Sequence, residues 1–180
     1  MSEEEFNLLE EVFGQGNVLK EWDIAKNSRD ALNRELQYCP RIDYAIKPLN
    51  IDGEIEHNNE LINNSYKKYE NLLNNLRDKS LGYGFWTINM NPRCFLAIEY
   101  ENKTTTKHRV GSLINAGAMG KIGIIVAKNA PTFNSYKRIL SYLEYLEMHK
   151  KQKMVNNFFV ITINEFEESL RKYIGSRNKV

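Results

Sequence analysis

One stretch limits what this chain can become. Residues 95–103 read Phe-Leu-Ala-Ile-Glu-Tyr-Glu-Asn-Lys. Four successive apolar residues suit a core strand, and on a strand the side chains at i, i+2 and i+4 share one face. Glu99, Glu101 and Lys103 then point the same way at the end of a buried segment. Neighbouring carboxylates are costly to remove from water unless something neutralises them. A divalent cation with oxygen ligands would do so. Alternatively the strand leaves the core at Glu99, and the three charged residues are its solvated end. A carboxylate from a second strand would separate the two readings.

One candidate lies upstream. Arg41-Ile-Asp-Tyr-Ala-Ile46 alternates as a short strand, with Ile42, Tyr44 and Ile46 on one face and Arg41, Asp43 and Ala45 on the other. Aspartate is disfavoured in mid-strand. Asp43 is therefore either on a partly exposed edge strand or a metal-binding carboxylate.

The apolar spacing of the rest predicts helices over 3–13, 28–37, 58–76, 107–119, 131–150 and 165–174. Strands are expected at 85–90, 93–103, 123–127 and 157–163, the first two joined as a hairpin through Asn91-Pro92. A strand–helix–strand unit after the acidic strand implies a parallel pair with a right-handed crossover. The class is α/β, a mixed central sheet flanked by helices. At 180 residues, 42% hydrophobic and 27% charged, the chain suits a single globular domain.

Several classes are disfavoured. No apolar run reaches the length of a membrane span. The acidic start, Met-Ser-Glu-Glu-Glu, lacks a signal pattern, so a cytoplasmic location is expected. Cys39 and Cys94 have no metal-ligand spacing and are expected as free thiols. A net charge of +2 neither demands nor excludes nucleic acid. Lys107, His108 and Arg109 nevertheless cluster at a helix start, where cationic side chains and the helix field would both favour a phosphate. They read equally well as a solvated helix end.

Two segments, Cys39-Pro-Arg-Ile-Asp-Tyr-Ala45 and Phe95-Leu-Ala-Ile-Glu-Tyr-Glu-Asn-Lys103, with the helix and strand that follow, resemble the PD-(D/E)xK nuclease superfamily, the restriction-endonuclease-like fold. The family core is a helix, a meander of three strands, a helix and a fourth strand. The resemblance implies such a core over about residues 28–127, with a helical insertion at about 50–80 and a C-terminal αβα extension at about 128–175. It implies Asp43 as first acid and two registers for the rest. In one, Glu99 is the second acid and Glu101 stands where the family has lysine. In the other, Glu101-Asn-Lys103 is the motif and Glu99 is extra. Some members add a glutamate from the preceding helix, here Glu35. The implied activity is Mg²⁺- or Mn²⁺-dependent hydrolysis of DNA, with Asp43, Glu99 and Glu101 holding the metal and Glu101 or Lys103 activating water. A homodimer would let two sites cut both strands in one encounter. The implied alternative is an inactive nucleic-acid-binding or assembly module of the same fold.

Overall fold

The computed structural model describes residues 2–23, 40–50, 55–82, 89, 91–102, 105–150 and 157–177. The chain opens on α1 (Glu3–Phe13), started by a reciprocal capping box in which Ser2 Oγ accepts from the Glu5 N–H and Glu5 accepts from the Ser2 N–H. Leu8, Leu9, Val12 and Phe13 form its buried stripe, and Gly14, at φ +97°, ends it. Next come β1 (Val18–Asp23), β2 (Arg41–Leu49), α2 (Ile55–Lys68), α3 (Glu70–Lys79) and the two-residue β3 (Leu81–Gly82). The second half alternates regularly: β4 (Cys94–Glu101), α4 (Thr106–Met119), β5 (Gly120–Ala127), α5 (Ala130–Lys150), β6 (Phe158–Thr162) and α6 (Ile163–Arg177).

These strands form one mixed sheet in the order β1-β2-β4-β5-β6-β3. β2 runs antiparallel to both β1 and β4, whereas β4, β5 and β6 are parallel, and β3 is antiparallel to β6. Both flanks of β4 are therefore taken, which excludes the expected hairpin between it and residues 85–90. Most of that segment lies outside the described residues, as does the helix expected at 28–37. The single helix expected over 58–76 is two, α2 and α3, meeting at Tyr69. That ring is buried edge-on against Phe13, 5.0 Å between centroids, and Leu72, Leu73 and Leu76 follow it into the core.

One face of the sheet is covered by α1, α2, α3 and α6, where Tyr44, Ile46, Leu96, Ile98 and Tyr100 point. The other is covered by α4 and α5, where Ala45 and Ala97 meet Leu113 and Ala116 of α4 and Tyr136 of α5. The strand period thus sets the direction of the acids: Asp43 continues the Ala45 row, and Glu99 and Glu101 continue the Ala97 row. Helix α4 packs very close to the sheet. A Cβ on Gly123 would stand 2.7 Å from the Ala116 carbonyl carbon. The buried Asn157 amide pins the end of α4, donating to the carbonyls of Gly117, Gly120 and Lys121 at 2.9–3.0 Å. Among the described residues no helix is long and apolar enough to cross a membrane.

Candidate active site

Asp43 and Glu99 come together because β2 and β4 are paired. Tyr44 stands opposite Ile98, which brings Asp43 beside Glu99 on the α4 face. Each carboxylate is held by the other strand's backbone. The Tyr100 N–H donates to Asp43 Oδ2 at 2.8 Å, and the Asp43 N–H donates to the Glu99 carboxylate. Glu101, two residues further along β4, is 3% exposed. Ser112 of α4 donates its hydroxyl to Glu101 Oε2 at 2.9 Å, and His108 Nε2 lies 3.8 Å from the same oxygen.

The electrostatics are unfavourable for an anionic site left alone. Burial, then the charges of Asp43 and Glu101, push the Glu99 carboxyl up to about 8. Burial also raises Asp43, opposed by the Tyr100 N–H and reinforced by Glu21 and Glu101. The oxygen-only pair Asp43 and Glu99 thus has the chemistry of a hard-cation site, and a bound cation would relieve the repulsion. Among the described residues, however, no three His, Cys, Asp or Glu side chains converge closely enough to hold one ion. Glu101, the expected third ligand, is instead turned toward Ser112 and His108.

Asp43 and Glu99, but not Glu101, border a cleft of about 840 Å³. Its sheet side carries Glu21, Arg41, Asp43 and Glu99, and its helix side carries Lys107, His108, Gly111, Ser112 and Asn115 of α4. The wall is therefore cationic near the start of α4 and the floor is acidic. Of the three basic residues expected at that helix start, Lys107 and His108 face the cleft. Arg109 does not: it is 7% exposed and donates from Nη1 to the Ser135 hydroxyl of α5, so it is a seam residue rather than a phosphate contact. The helical period explains this, since 109 falls on the Leu113 and Ala116 side. Lys103 and Glu35 lie outside the described residues.

Two site residues escaped the sequence reading. Glu21, on the unforeseen strand β1, reaches the cleft, contributes to the charge felt by Asp43 and Glu99, and pairs with Arg41 Nε at 2.9 Å. Its φ of +47° is rarely adopted by a non-glycine residue. The short run Val18-Leu-Lys-Glu-Trp22 after Gly16-Asn17 was the available signal. Ser112 could have been found from its position one helical turn after His108. Comparisons with protein-family models, curated proteins and solved structures found no match.

Proposed function

We propose that this chain is a metal-dependent nuclease of the restriction-endonuclease-like fold, hydrolysing DNA phosphodiester bonds. The observation that carries the reading is the pairing of half-buried Asp43 and Glu99 on adjoining strand ends, at the floor of a cleft whose opposite wall carries Lys107 and His108. The element order lends support. Counted from Glu3, the succession α1, β1-β2-β4 meander, α4, β5 follows the family's helix, three strands, helix and fourth strand; the core start expected near residue 28 lies outside the described residues. In this reading α2 and α3 interrupt the meander, and α5, β6 and α6 extend the sheet beyond the core.

Asp43 and Glu99 would hold Mg²⁺ or Mn²⁺, which when bound supplies charge neutralisation and an acidified water. The chain's own residues do the rest. Lys107 and His108 attract and orient the phosphate, and the apolar row behind Ala45 and Ala97 fixes where the carboxylates stand. Glu101 is buried and held by Ser112 beside them, and in the register with Glu101 in the lysine position it would act from there.

The test is incubation of the purified chain with plasmid, linear and branched DNA in Mg²⁺ or Mn²⁺. Cleavage that is abolished by Glu99→Ala supports the reading, and Lys103→Ala then decides between the two registers. The absence of cleavage, together with no rise in melting temperature on adding metal, would sink it. A second reading, an inactive nucleic-acid-binding module of the same fold, draws on one observation: Asp43, Glu99 and Glu101 do not converge as a trio. DNA binding that survives Glu99→Ala, with no cleavage by the parent, would favour it.

A further inference from the structure

Helix α4 carries a glycine that its packing does not explain. Glycine inside a helix loses backbone entropy and helix propensity, so it is retained where something must come close. Gly123 has such a reason, because α4 lies against it. Gly111 has none among the described residues: a Cβ built there meets none of their atoms within 4 Å. It lies on the helix wall of the cleft, across from Asp43 and Glu99.

Lys107, Gly111 and Asn115 recur every four residues and share that wall. Eight residues of helix span about 12 Å. A cation, a bare patch of backbone and an amide are thus laid in sequence along one side. The cation suits phosphate oxygens, and the amide can bond phosphate, sugar or base edges.

We propose that the missing side chain at Gly111 leaves the clearance through which one sugar–phosphate strand of a bound nucleic acid passes along α4. The inference rests on the nuclease reading above. Gly111 is a positioning feature that acts by the space it leaves, and larger residues at 111 exclude the strand without disturbing the carboxylates.

The experiment compares Gly111→Ala, Gly111→Leu and Gly111→Phe, each in a Glu99→Gln background that prevents cleavage. Two readouts are taken: melting temperature, and anisotropy of a labelled 20-nucleotide probe, single-stranded or duplex. Gly111→Ala is expected to melt roughly 2–4 °C higher, as a better helix former in open space. Gly111→Leu and Gly111→Phe are expected to bind the probe at least tenfold more weakly while still melting cooperatively. The stronger-binding probe identifies which form supplies the strand. Binding by Gly111→Leu within twofold of the parent overturns the inference alone. So does a fall in melting temperature for Gly111→Ala, since the glycine would then be serving the helix. Absence of binding of either probe by the parent overturns the nuclease reading and this inference with it.

Discussion

Glu99 sits where its charge is least welcome. Its carboxyl is raised to about 8 in the folded chain, against 4.5 in the unfolded one. Between those values the folded state holds a proton that the unfolded state has released. Stability from this group is therefore complete below about pH 4.5 and lost as pH rises through 8. The metal-free protein should melt at a lower temperature at pH 8.5 than at pH 5. Glu99→Gln should flatten that profile and, at about 1.4 kcal/mol per pH unit, gain on the order of 3 kcal/mol at pH 8.5. Added Mg²⁺ should raise the melting temperature of the parent at pH 8 and leave that of Glu99→Gln nearly unchanged. Ser112→Ala removes a donor from a buried carboxylate and should cost about 1–2 kcal/mol in chemical denaturation. The i, i+2 spacing in the sequence was enough to put Asp43, Glu99 and Glu101 on one face. It could not tell what the opposing helix would offer them, so Ser112's hold on Glu101 became visible only with α4 in place.

Helix α4 is the element on which the site depends. It carries the cationic wall, and it can approach the acids because Gly123 leaves room beneath Ala116. Gly123→Val should force the helix away and cost about 3 kcal/mol or more, seen as a shifted denaturation midpoint with an unchanged slope. Elements with strong periodicity were readable from the sequence. α1, α4 and β4 fall within a residue or two of expectation, because a buried stripe or a long apolar run dominates each. β1 was not, because its six residues mix Val18, Leu19 and Trp22 with Lys20, Glu21 and Asp23, and what makes them a strand is pairing with β2. The β4 partner was misjudged for the same reason. Neighbours in sequence suggested a hairpin, but β2 and β5 fill both sides of β4.

Across the whole molecule, the N-terminal helix is tied to the far end of the central strands. Although burial opposes it, the Lys128 ammonium and the Ser2 N–H hold the Glu5 carboxyl below its usual range. Lys128 Nζ reaches Glu5 at 2.8 Å, and its N–H donates to the Glu101 carbonyl at 3.0 Å. Lys128→Met would leave Glu5 buried without its counter-charge and should cost about 3 kcal/mol in equilibrium unfolding. Among the described residues the sheet also has an outer boundary at β1, where Glu21 breaks the regular extended backbone. Lys20 and Asp23 stand near that break, and Lys20 is already engaged with Glu3. An extended segment approaching this edge, from another molecule or a misfolded neighbour, meets an interrupted ladder and a row of charges. The kink that brings Glu21 to the cleft therefore also guards the chain against growing its sheet into an aggregate.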